Sequence, residues 1–216
     1  MTRLEACLID AYGTIVHTDF TAHRHVLPAM AGVPADAMYA GFGRLEPVLG
    51  TGQISMTEAF AEILRACGVP PTPELVREIA GKARELLLAS GRLYDDVLPV
   101  LRKLRSRGIK TAIVSNCDEN TRDLLVELGV AALTDTLVLS CEVGALKPAA
   151  RIYQRALDQL GVTAGAALFV DDSAVYCAGA ADLGISAVQI VRGNLDGKVV
   201  AGSTVVRSLA EVEAML

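Results

Sequence analysis

Residues 4–14 read LEACLIDAYGT, an apolar run that closes on Asp10 and turns at Gly13. A short apolar run bounded by a turn residue reads as a buried strand. Similar runs recur at residues 109–114, ending at Ser115; at 137–139, before a loop over 141–148; and at 166–170, ending at Asp171. A weaker one covers 187–191. Between them lie helical patterns. Val97, Leu98, Val100, Leu101 and Leu104 recur before Gly108, and Leu124, Leu125 and Leu128 before Gly129. Ile152, Tyr153, Ala156, Leu157 and Leu160 share a face before Gly161, a small apolar stretch over 173–183 stops at Gly184, and Ser208 with Glu211 makes a capping box. Strands alternating with helices predict an α/β fold, a parallel sheet covered on both faces. Residues 15–93 break the rhythm with helix signals alone: Ser55 and Glu58 as a second capping box, and Thr72 before Pro73. They read as a helical insertion, leaving residues 1–14 and 94–216 as the core.

Composition narrows the partners. The chain has 216 residues, 52% hydrophobic and 21% charged, enough for one generous domain with its own core. Twenty Lys and Arg against 25 Asp and Glu give a net charge of −5, and no basic run is present to track a phosphate backbone, so nucleic acid is not an expected partner. No stretch reaches the roughly 18 apolar residues of a membrane span, and no signal peptide is recognisable, so a soluble cytoplasmic protein acting on a small molecule is expected. Cys7, Cys67, Cys117, Cys141 and Cys177 are odd in number and contain no C-x-x-C pair, so they read as reduced, mostly buried thiols. Gly41-Phe42-Gly43 fails as a dinucleotide loop because Glu46 stands where a third glycine is needed and no strand precedes it. The oligomeric state stays open.

In an open parallel sheet, ligands bind beyond the carboxyl ends of the strands. The polar residues there are Asp10, Tyr12 and Thr14; Ser115 and Asn116; Lys147 before Pro148; and Asp171 with Asp172. Each has a structural reading: Asp172 or Ser173 as a helix cap, Ser115 as a turn, Lys147 as a solvated lysine. Together they form a specific ordered set, a carboxylate, a hydroxyl, a lysine and an acidic pair, each at a strand exit.

This set resembles the four motifs of the haloacid dehalogenase superfamily of hydrolases: Asp10-Ala11-Tyr12-Gly13-Thr14, Ser115-Asn116, Lys147-Pro148 and Asp171-Asp172. The resemblance spans the chain, since one branch of that family inserts a helical cap where residues 15–93 lie. It implies a three-layer, Rossmann-like core and a covalent route through Asp10, whose ester is then hydrolysed. In the phosphatase branch Mg²⁺ is held by Asp10, the Tyr12 carbonyl and the acidic pair, with Asp172 the direct ligand and Asp171 acting through water. Ser115, Thr14 and Lys147 hold the transferring group, and Asn116 completes the second motif.

Two positions depart from that pattern. Where phosphatases carry a second aspartate as general acid, this chain has Tyr12, as the 2-haloacid dehalogenases do; halide leaves without a proton. Tyr12 reads either as a weak donor or as filling between core and cap, and His17 in the hinge is a possible substitute acid. The fourth motif points the other way, because three acids without a cation repel one another. Tyr176 stands where the family has Asn or Asp, which weakens the metal shell. The expectation is a Mg²⁺-dependent phosphatase on a small metabolite. The alternatives are a metal-independent 2-haloacid dehalogenase, with Arg44 cradling the halide, and a degenerate non-catalytic member. Receiver switches, which share the same residue types, place the acidic pair first and lack the insertion. His23 and His25 read as polar residues of the insertion, and Cys117 and Cys177 as packing residues.

Overall fold

The first strand, β1 (Ala6–Ile9), is buried at all four positions. The pleat sends Cys7 and Ile9 to one face and Ala6 and Leu8 to the other, and each pair enters a different hydrophobic cluster. The computed structural model describes residues 3–193 and 204–216; the rest of the expected core span lies outside the described residues.

After β1 come β2 (Val16–His17), α1 (Thr21–Ala31), α2 (Ala35–Gly50), α3 (Met56–Ala66), α4 (Pro73–Ser90) and β3 (Arg92–Leu93). The chain continues through α5 (Val97–Ser106), β4 (Lys110–Ser115), α6 (Thr121–Glu127), β5 (Thr136–Leu139), α7 (Ser140–Val143) and α8 (Ala150–Leu160). It ends with β6 (Ala167–Asp171), α9 (Ala174–Ala181), β7 (Ser186–Ile190), β8 (Val205–Val206) and α10 (Leu209–Glu213). Six parallel strands form one sheet in the order β5-β4-β1-β6-β7-β8. The order runs outward in both directions from β1, so the crevice between β1 and β6 is the switch point of a doubly wound sheet. One face packs on α5, α6 and α10, through Val100, Leu101, Leu124, Leu125, Leu209 and Val212. The other packs on α8 and α9, through Ile152, Tyr153, Leu157 and Cys177. The three-layer expectation holds.

The four helices between β2 and β3 carry a hydrophobic cluster of their own, including Leu27, Met38, Phe60, Ile63, Leu64 and Ile79. Their expected caps are present. Ser55 N donates to Glu58 Oε2 at 2.8 Å while Glu58 N donates to Ser55 Oγ at 3.2 Å, and Thr72 Oγ1 accepts from Leu75 N at 3.3 Å. Gly41 fits α2 against α3, since a Cβ there would lie 2.7 Å from Ile63 Cγ1.

The structure departs from the sequence reading at small elements. β2 and β3 pair antiparallel, Val16 with Leu93 and His17 with Arg92, so residues 15–93 are not helical throughout. The expected 141–148 loop overlaps α7, which begins at Ser140. Two-residue strands and a single helical turn are too short to show a period. Among the described residues no helix is long and apolar enough to cross a membrane.

Candidate active site

Parallel pairing sets the site. Ile9 stands in register with Val170, and Asp10 N donates to Val170 O at 2.9 Å, so the next residues on these two strands, Asp10 and Asp171, emerge together at the switch point. Lys147 enters between them. Its Nζ donates to Asp10 Oδ1 and to Asp171 Oδ2, both at 2.6 Å, with its side chain only 1% exposed. Burial opposes the lysine charge, but the two carboxylates outweigh it and hold its pKa above the ordinary value. Burial and then the charge of Asp10 push Asp171 up to about 7. The aromatic rings of Phe169 and Tyr176 flank the ammonium, at 5.6 and 5.0 Å from their centroids. Tyr176 therefore contacts Lys147 through its ring face, in place of the amide or carboxylate expected there.

Asp172, exposed, completes a triangle. One oxygen each from Asp10, Asp171 and Asp172 lie within 4.8 Å of one another. Gly13 makes the approach possible: its φ is +78°, and a Cβ there would stand 2.4 Å from Asp172 Oδ2. The helix-cap reading of the pair fails, because Ser173 at the N-cap of α9 has no side-chain cap bond and Asp171 Oδ1 instead accepts from Ser173 N at 2.8 Å. Asp10 Oδ2, Thr14 Oγ1 and Ser115 Oγ are buried without a hydrogen-bond partner among the described residues. Unpaired buried polar atoms are costly, so three of them among the predicted site residues mark places that a ligand completes.

Asn116 of the second motif pairs with the Lys147 backbone. Its amide nitrogen donates to Lys147 O at 3.0 Å and its oxygen accepts from Lys147 N at 2.7 Å, so it clamps the lysine backbone. Tyr12 turns its hydroxyl to Thr121 Oγ1 at 3.0 Å, and burial drives its pKa upward, which makes it a poorer acid than a free tyrosine. Arg44 is a correction. Phe42 and Glu46, one helical turn apart on α2, line the cleft beside Asn116 and Leu146, whereas Arg44 stands two residues from each, about 200° round the helix, and is exposed. Among the described residues Arg44 is on the wall of neither cavity beside Asn116. His17 lies in β2, exposed, against the Tyr94 ring at 5.3 Å. Cys117 and Cys177 both have pKa values raised, Cys177 to about 12 by burial, and behave as packing thiols.

A cavity of about 560 Å³ opens over this corner, walled by Tyr12, Gly13, Asn116 and Asp172 from the core and by Phe20 and Leu87 from the insertion. Three features of the site escaped the sequence reading. Asp118 lines the same cavity, with burial raising its pKa, and its Oδ1 accepts from Asn120 N at 2.8 Å. Its position three residues past Ser115 was the available signal. Arg192 Nε donates to Thr14 O at 3.0 Å while Nη1 pairs with Asp96 at 2.8 Å, and Asp96 also accepts from Leu209 N at 2.7 Å. That bracing joins four distant segments and leaves no local trace. His23, read as a polar residue of the insertion, is buried, with Nε2 3.2 Å from Ala83 O.

The profile of the haloacid dehalogenase-like hydrolases matches residues 4–184. The chain belongs to that family. This hydrolase is 30% identical to the glyceraldehyde 3-phosphate phosphatase of Methanopyrus kandleri over 78% of its own length and 76% of the relative's. It is 28% identical to (S)-2-haloacid dehalogenase 1 of a Pseudomonas species, over 90% and 87% of the two chains. The crystal structure of a haloacid dehalogenase-type phosphatase from Thermococcus onnurineus shares the fold, with a TM-score of 0.71 at 23% identity over 98% and 97% of the two chains. Relatives thus include both phosphatases and dehalogenases.

Proposed function

We propose that this hydrolase is a Mg²⁺-dependent phosphatase acting on a small phosphorylated molecule through an aspartyl-phosphate on Asp10. The observation that supports it is the triangle of Asp10, Asp171 and Asp172, with Asp10 Oδ2 buried and unpaired among the described residues. The donor set fits the ion, since the three side chains offer only hard oxygen ligands; the Tyr12 carbonyl is the proposed fourth. When bound, the ion balances charge on the acids and on the phosphoryl group.

Lys147 fixes Asp10 by holding Oδ1, which leaves Oδ2 to attack phosphorus. The P–O bond to the leaving group breaks with its electron pair on that group. Water then attacks the acyl phosphate and frees Asp10 and inorganic phosphate. The hydroxyls of Thr14 and Ser115 hold phosphoryl oxygens. Tyr12 is a poor proton donor, so substrates whose leaving group needs no proton, acyl and aryl phosphates, are preferred. The helical insertion acts as a cap that excludes water and selects substrate.

Hydrolysis of acetyl phosphate, measured with Mg²⁺ and then with excess chelator, tests the reading. Activity is expected to vanish with the chelator and in Asp10→Asn; turnover in either case overturns it. Tyr12 favours a second reading, metal-independent dehalogenation of a 2-haloacid. Halide release from 2-chloropropionate with chelator present would establish that alternative.

A further inference from the structure

Inside the helical insertion, Phe20, Leu27, Phe42, Met56, Phe60 and Leu87 wall a cavity of about 150 Å³. His23, Tyr39, Asp118 and Asn120 are the polar residues of this mostly apolar wall. His23 Nδ1 and Tyr39 Oη are both buried and have no hydrogen-bond partner among the described residues. The carbonyl of Ala83 only accepts, so the His23 Nε2 that lies 3.2 Å from it carries the ring proton. Nδ1 is then a lone-pair acceptor, and burial, which lowers the His23 pKa, keeps the ring neutral near pH 7. Tyr39 Oη can donate or accept.

A mostly apolar chamber in which one acceptor and one donor are unpaired among the described residues is what a ligand site looks like before its ligand arrives. A cavity of this size is filled by about one six-membered ring. A ring hydroxyl has both functions required: its hydrogen satisfies His23 Nδ1, and its oxygen accepts from Tyr39. The chamber also adjoins the proposed phosphoryl site. Phe20, Leu87 and Asp118 belong to its wall and to the wall of the larger cavity that reaches Gly13 and Asp172.

We propose that this chamber receives the leaving-group end of the substrate, and that it selects a single aromatic ring carrying a hydroxyl, joined to the phosphoryl group by a short acyl tether that passes Asp118. The assignment rests on the phosphatase reading for the phosphoryl end alone; the ring site stands on the chamber's own geometry. Water on His23 and Tyr39 is the competing occupant, and it would give no preference among rings.

The test uses the whole protein and two neutral alcohols as probes of the ring site, 2-(4-hydroxyphenyl)ethanol and 2-phenylethanol, with binding measured by calorimetry and acetyl phosphate as a ring-free substrate. The hydroxylated alcohol is expected to bind about tenfold more tightly, the effect of one well-made buried hydrogen bond. Tyr39→Phe keeps the ring and removes the hydroxyl, so this advantage should shrink to about twofold or less while 2-phenylethanol binding is unchanged. Ala83→Leu places a side chain in the chamber and should weaken both alcohols at least about tenfold while acetyl phosphate turnover is retained. Equal binding of the two alcohols, no binding of either, or binding indifferent to Ala83→Leu in a variant that still turns over acetyl phosphate or keeps the wild-type circular dichroism spectrum would overturn the proposal. If the alcohols bind as expected while acetyl phosphate is untouched, the phosphatase reading fails and the ring site stands; the reverse pattern removes the ring site alone.

Discussion

Lys147→Met keeps the apolar stem against Phe169 and Tyr176 and removes the ammonium that both buried acids grip at 2.6 Å. Breaking a buried ion pair from one side costs about 3–5 kcal/mol, because the partner charge stays buried without compensation. Here two partners are stranded, within 4.8 Å of each other, so the upper half of that range is expected. Adding Asp171→Asn removes one of the two opposed charges and should recover about 1–3 kcal/mol, the coupling typical of residues in one network. In the parent, the same Asp171→Asn change should be destabilising because it cuts a bond to Lys147. Urea unfolding in chelator-containing buffer reads all four corners of this cycle. A loss below about 1 kcal/mol for Lys147→Met, the range of solvent-exposed pairs, would refute the reasoning, as would additivity of the two changes.

Four further outcomes follow from single contacts. Gly13→Ala forces a Cβ into Asp172 Oδ2 at 2.4 Å with φ at +78° and should cost about 1–2 kcal/mol in backbone strain, together with most acetyl phosphate turnover; a silent variant would place Asp172 elsewhere. Tyr12→Asp should raise turnover of an alkyl phosphate by about a hundredfold or more by supplying a positioned acid; no gain in a steady-state assay means that Tyr12 does not limit proton transfer. Ser55→Ala removes the capping box of α3 and should lower unfolding stability by about 1 kcal/mol with acetyl phosphate turnover at 25 °C unchanged. Burial holds the folded-state pKa of His23 below its unfolded value, so the unfolded chain takes up the proton first as pH falls. Stability should therefore decline below about pH 6.5, and the part of that slope lost in His23→Gln, read by urea unfolding at several pH values, is the test.

The fold was legible because its central strands carry continuous apolar runs and its longer helices are amphipathic. β1, β4 and β6 are buried on both sides, so continuous runs betrayed them, and α8 presents Ile152, Tyr153, Ala156, Leu157 and Leu160 to the sheet as its spacing requires. β2, β3 and β8 have two residues each, fewer than any periodicity needs. Part of the expected set was legible beside strand ends: Asp10 and Asp171 share Lys147, and Ser115 closes β4 next to β1. The set was harder to read where the direction of a side chain decides its role. Asn116 and Arg44 are of the right residue types, yet one is committed to the Lys147 backbone and the other lies on the wrong side of α2. The bracing of Thr14 by Arg192 and Asp96 joins residues 96 and 178 positions apart, so it exists only once the sheet order is known.

The acids at the switch point bear on how the two family chemistries are told apart. Asp10 and Asp171 share the ammonium of Lys147, each at 2.6 Å, and burial with the charge of Asp10 already lifts Asp171 to about 7. A further negative group brought beside them raises that repulsion unless a cation arrives with it. Under the proposed phosphatase reading, a divalent cation on the acid oxygens would supply that balance. A metal-independent dehalogenase would instead have to lodge a substrate carboxylate beside the same acids with Lys147 shared between two of them. Halide release that persists with chelator present would show that the site bears that charge unaided.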